Sequence, residues 1–89
     1  MPAQDTNDEV STGLAVLGWT VADPARAARL LDLTGLSPAD LRASADTPAT
    51  LAAVIAFLEG HEPDLVACAD TLDITPEALV ALRHRLERL

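Results

Sequence analysis

The chain has no lysine and no tyrosine, and only one cysteine, one tryptophan and one phenylalanine. Without lysine there is no Schiff-base nucleophile, and without tyrosine no phenolic acid or base. A lone thiol, Cys68, closes no internal disulfide. That is the usage of a reducing compartment, and a cytoplasmic location is expected. The two aromatics, Trp19 and Phe57, are too few for the stacking platforms that hold single-stranded nucleic acid. No apolar run reaches the ~18–20 residues of a membrane span. The N-terminal MPAQDTNDEV has neither the positive start nor the apolar stretch of an export signal. Cations are scarce too. Fourteen acids face six arginines for a net charge of −8, which disfavours bulk binding to nucleic acid or to anionic membranes. Between Arg42 and Arg83 lie seven acids and no base, and Arg83, Arg85 and Arg88 hold half of the positive charge.

What is present is helical. Seventeen alanines and fifteen leucines make up over a third of the 89 residues. Five prolines follow residues suited to begin a helix: Asp23-Pro24, Ser37-Pro38, Thr47-Pro48, Glu62-Pro63 and Thr75-Pro76. Asp, Ser or Thr accepts the unpaired N–H groups of a first turn, and proline has no N–H to leave unpaired there. This punctuation predicts helices over 9–22, 24–34, 38–45, 48–60, 62–72 and 76–88, with Gly35 and Gly60 as stops. Apolar stripes at helical spacing agree: Val10, Leu14, Leu17 and Val21; Leu51, Val54, Ile55 and Leu58; Leu79, Leu82, Leu86 and Leu89. No segment alternates as a strand does. The expectation is an all-α compact bundle of five to six short helices, a single helical domain over 9–89 preceded by a flexible segment at 1–8.

The chain is also self-similar at a shift of 38 residues. TGLAVLGW from Thr12 falls on TLAAVIAF from Thr50, Trp19 on Phe57, and Leu36-Ser37-Pro38 on Ile74-Thr75-Pro76. Six of thirty aligned pairs are identical. Two duplicated three-helix units are implied, with Trp19 and Phe57 in related core sites.

The combination of Trp19, Asp23 and Pro24 with LTGLSPADLR (Leu33 to Arg42), an aliphatic helix ending in Phe57-Leu58 and DITPEAL (Asp73 to Leu79) resembles a known bacterial family. It is that of the small helical proteins called domain of unknown function 3572. The resemblance covers residues 12–88 and implies a cytoplasmic helical domain, with no residue role to carry over.

Chemistry-bearing residues form no set. His61 stands among Glu59, Glu62 and Asp64, but sequence neighbours do not share a helix face, and an acid-rich helix start accounts for them. His84 is expected at the surface, and Cys68 as a buried, inert thiol whose pKa nearby acids raise. Nothing in the spacing of Asp32, Asp40 and Asp46 places two of them on one face with a shared apolar pocket; caps and surface charge account for Asp23, Asp40 and Asp46. No catalytic residue, metal site or cofactor is expected. LLDLTGLSPADLRA is similar in outline to a helix-turn-helix, with Leu36 and Leu41 inside, yet it offers only Arg42 to a base edge. In its duplicate the arginines come late, where they also complement the helix dipole. The expected function is therefore a non-enzymatic protein-interaction module, an adaptor or regulator that binds another protein, with Arg83, Arg85 and Arg88 as candidate partner-binding residues. A DNA-associated regulator is the alternative, and an enzyme ranks third.

Overall fold

A computed structural model describes the backbone of residues 2–89 and the side chains of residues 8–89. The flexible segment expected over 1–8 falls, residue 8 apart, outside the described side chains. Six helices follow in order: α1 (Pro2–Val21), α2 (Pro24–Thr34), α3 (Pro38–Ser44), α4 (Pro48–Glu59), α5 (Glu62–Thr71) and α6 (Pro76–Glu87). No strand occurs among the described residues.

The starts are made as the side chains dictate. Asp23 accepts from the Arg26 N–H at 2.9 Å. Thr47 accepts from the Thr50 N–H at 3.4 Å and Thr75 from the Ala78 N–H at 3.0 Å. Ser37 forms a reciprocal pair, its Oγ accepting from the Asp40 N–H at 3.0 Å while Asp40 accepts from the Ser37 N–H at 3.3 Å. Ser37→Ala and Thr75→Ala should each cost ~0.5–2 kcal/mol, read as a lowered urea midpoint. At α5 the cap position is His61, which makes no side-chain cap bond.

The 38-residue shift is written into the backbone. It carries the end of α1 at Val21 onto the end of α4 at Glu59, and the starts of α2 and α3 onto those of α5 and α6. Gly35 (φ 74°) and Asp73 (φ 59°), the two positive-φ residues among those described, are also 38 apart. Each turns the chain between the second and third helix of its unit. Glycine takes that conformation freely, and aspartate is among the few others that tolerate it. The units pack reciprocally: α1 lies on α4, α4 also meets α2, and α1 meets α5.

The third helices break the symmetry. α6 lies along α4 in the most extensive helix contact among the described residues, burying Leu79, Leu82 and Leu86. α3 has seven residues, none of them buried. At the positions matching Leu82 and Leu86 it has Ser44 and then Pro48, which already begins α4. A helix that must hand the chain on at once cannot lie along α1.

One core results, drawn from every helix but α3: Val16, Leu17, Leu30, Leu51, Val54, Ile55, Leu58, Leu65, Cys68, Leu79, Leu82 and Leu86 among them. The α4 stripe is buried as expected, and so is that of α6 except for Leu89, which lies past the helix end and is exposed. The α1 stripe needs correction. Its buried face is Gly13, Val16, Leu17 and Thr20, while Leu14 and Val21 are each 39% exposed. The reason is close approach. A Cβ on Gly13 would stand 2.9 Å from Leu51 Cδ1, so α4 seats where α1 has no side chain. Thr20 is tolerated there because its hydroxyl donates to the Val16 carbonyl at 2.8 Å. Trp19 and Phe57 do occupy matching positions, but at the edge of the core, each partly buried.

Candidate functional site

The open surface of the first unit follows from that asymmetry. On α4, Ala52 is buried and Arg83 of α6 reaches Glu59, while Ala56 stays exposed on the floor of a groove beside Leu86. The matching residues of α1 are Leu14, Gly18 and Val21. Among the described residues no helix covers them: Leu14 and Val21 are half-exposed, and a Cβ on Gly18 would meet nothing within 4 Å. From Val10 to Ala22 α1 carries no charge, the longest uncharged run in the chain. At its C-terminal end this face opens into a groove of ≈ 310 Å³ lined by Val21, Ala27, Leu31, Pro38, Leu41 and Arg42. Leu41 lies partly exposed in it, whereas its match in the second unit, Leu79, is fully buried under α4. Arg42 is exposed and makes no ion pair among the described residues.

The end of α1 beside this groove is held firmly. Arg26 lays its guanidinium over the Trp19 ring, 3.7 Å from the centroid. It also donates to the carbonyls of Trp19 at 2.7 Å and Thr20 at 3.3 Å. These are the unpaired acceptors of a helix C-terminus, so one cation satisfies the last turn of α1 and ties it to α2.

The three terminal arginines are not brought together as one surface. Arg83 donates to both oxygens of Glu59 and, at 2.9 Å, to Glu87. These two carboxylates, Glu59 foremost, hold its guanidinium pKa above the ordinary value. Arg85 pairs with Glu9 of α1 at 2.7 Å. Only Arg88, at the end of α6, is without an ion pair among the described residues. Glu59 is thus more than part of a solvated acidic cluster: it fastens α6 to α4. The Arg83–Glu59 and Arg85–Glu9 pairs complement the dipole and brace the bundle.

A larger groove, ≈ 490 Å³, runs between the start of α4 and the end of α6. Its floor is Ala49, Ala52, Ala53 and Ala56, and α6 already walls it with Leu86 and Leu89.

Cys68 is fully buried, and its thiol is pushed up to about 11. The cause is burial, opposed by the Arg26 charge, rather than the nearby acids. The native chain should therefore resist a thiol-reactive disulfide at pH 8 and label only in urea. Folding holds the proton above the ordinary thiol value of about 8.5, so stability is level below that pH. It should fall as pH rises toward about 11, and Cys68→Ala should flatten that decline. His61 and His84 are exposed, and Asp23 and Asp40 act as the caps expected of them. Among the described residues no three His, Cys, Asp or Glu side chains converge as metal ligands do. Leu36 and Leu41, the inner positions of the helix-turn-helix outline, are only partly buried.

Fold and surface together define a small all-α protein of two three-helix units, one closed by its third helix and one left open. It belongs to the family described as "Protein of unknown function (DUF3572)", whose model matches residues 7–88. No curated protein and no solved structure matches the chain.

Proposed function

We propose that the chain is a non-enzymatic protein-interaction module whose docking surface is the uncovered face of α1 with the groove under α3. One observation carries this reading. Of two matching helix faces, the one on α4 is met by α6, which pairs Arg83 with Glu59, whereas among the described residues the one on α1 is left with Leu14 and Val21 half-exposed. The α4 face is partly closed by α6; among the described residues the α1 face leaves Leu14, Gly18 and Val21 open. Half-exposed leucine and valine flanking an open glycine, in a chain of net charge −8, are the composition of a contact surface rather than of a solvated one. A DNA-associated regulator draws no support from α6, where Glu59, Glu87 and Glu9 hold two of its three arginines. No helix of the described residues is long and apolar enough to cross a membrane.

The test is site-specific crosslinking in the producing cell. A p-benzoylphenylalanine at position 18, which has room for it, should give a protein adduct. The same group at position 67, exposed on α5, should give none. Equal adducts from both positions, or none from position 18, would discard the reading.

A further inference from the structure

We infer that the Arg42–Ala43 bond in α3 is a cleavage site for an endoprotease that cuts after arginine, and that the cut frees the α3 wall of the groove while the two units stay together. The inference does not depend on the docking reading above.

With no lysine in the chain, a protease specific for basic residues has only the bonds that follow the six arginines. The fold hides most of them. Leu30 after Arg29 and Leu86 after Arg85 are buried, and Arg26 and Ala27 are both only partly exposed. Arg83 is held by Glu59 and Glu87. Exposed residues on both sides of the bond occur only at Arg42–Ala43 and at Arg88–Leu89, and the second releases no more than the last residue.

A protease takes its substrate extended, so it acts on the fraction of molecules in which the helix has unwound. α3 is the helix least held. It buries no residue, makes no extensive contact with another helix and reaches the core only through part of Leu41. Gly35 has already ended α2, and Thr47 begins α4, so unwinding residues 38–44 breaks no hydrogen bond within either neighbour. The arginines of α2 and α6 lie in helices whose unwinding would pull Leu30, or Leu79, Leu82 and Leu86, out of the core.

Hydrolysis adds water across the bond, leaving a carboxylate on Arg42 and an amino group on Ala43. What holds the molecule together crosses the cut. α1 packs on α4, α5 and α6, and α2 packs on α4; the Arg29–Asp64 and Arg85–Glu9 pairs also join one piece to the other. What changes is the groove. Pro38, Leu41 and Arg42 are three of its lining residues, and after the cut they end a chain instead of leading into α4. Anchored from one side only, they move away and widen the apolar space beside Val21, Ala27 and Leu31. The joint between the units is thus a device that a single cut opens.

Brief digestion of the native full chain with trypsin, read by intact mass and gel filtration, tests this. The first internal products should be residues 1–42 and 43–89, eluting together at the volume of the uncut protein and separating in urea. Arg42→Gln, at an exposed residue without an ion pair among the described residues, should slow internal cutting at least about tenfold. Ser37→Ala loosens α3 at its own cap and should speed the cut severalfold; Thr75→Ala loosens α6 and should leave the rate nearly unchanged. A dye that fluoresces on apolar surface should brighten with the cut protein, and Arg42→Gln put through the same digestion should show no gain. A first internal cut elsewhere, equal acceleration by the two cap variants, or pieces that part without denaturant overturns the inference. So does a cut that leaves dye binding unchanged.

Discussion

Leu58→Ala is expected to leave the chain partly or wholly unfolded in buffer, whereas Leu14→Ala is expected to fold almost as the parent does. Both remove the same atoms from a helix. Leu58 is fully buried at the last core position of α4, the helix on which α1, α2, α5 and α6 all pack. Truncation there removes transfer energy and leaves a cavity that four helices cannot all close, a cost of ~2–5 kcal/mol. A domain of this length has only ~4–13 kcal/mol in total. Leu14 is already half in water, so its loss removes a fraction of that burial. Urea midpoints at dilute chain should separate the two variants by more than any pair of surface changes. Equal midpoints would mean that α4 is not the hub of the core.

Gly13→Ala and Gly18→Ala are expected to move stability in opposite directions, although the two glycines are five residues apart in one helix. At Gly13 the new methyl would meet Leu51 Cδ1 at 2.9 Å and Leu51 Cβ at 3.1 Å. The Cβ is fixed to the α4 backbone, so relief requires the two helices to part, and overpacking of this kind costs ~1–3 kcal/mol. At Gly18 the methyl meets nothing, and alanine removes the entropy cost of glycine in a helix, a gain of ~0.5–1 kcal/mol. Melting temperatures at a few micromolar chain should bracket the parent. A stabilised Gly13→Ala would show that α1 does not lie that close to α4.

The helix starts were legible because each is a local device. A cap residue and a proline act within four residues, and the structure begins α2, α3, α4 and α6 where that pair occurs. The faces of α4 and α6 were legible for a related reason, since in both the buried side is also the most apolar side. α1 was misread because its seat on α4 is made by a glycine and a self-satisfied threonine, which no count of apolar spacing scores. The 38-residue shift could be seen in sequence, and with it the equivalence of α1 and α4. That α3 is too short to repeat what α6 does could be read only once the helix lengths and contacts were known. Arg83, Arg85 and Arg88 stood out as charge, but what neutralises them lies elsewhere: Glu59 is 24 residues from Arg83, and Glu9 is at the far end of the chain. Spacing says nothing about such a pair.

The lack of a buried residue in α3 also sets a hierarchy of amide lifetimes. Backbone protons of α4 and α6 can exchange with solvent only when the whole core comes apart. Those of α3 are protected by one short run of helical hydrogen bonds and the reciprocal cap at Ser37 and Asp40, so they exchange through local opening at far lower cost. Since Pro38, Leu41 and Arg42 form one wall of the groove beside α1, each such opening also resizes the groove. The first unit thus presents a rigid helix on one side and a fast-breathing segment on the other, so slowed exchange confined to residues 38–44 would report that a partner has seated.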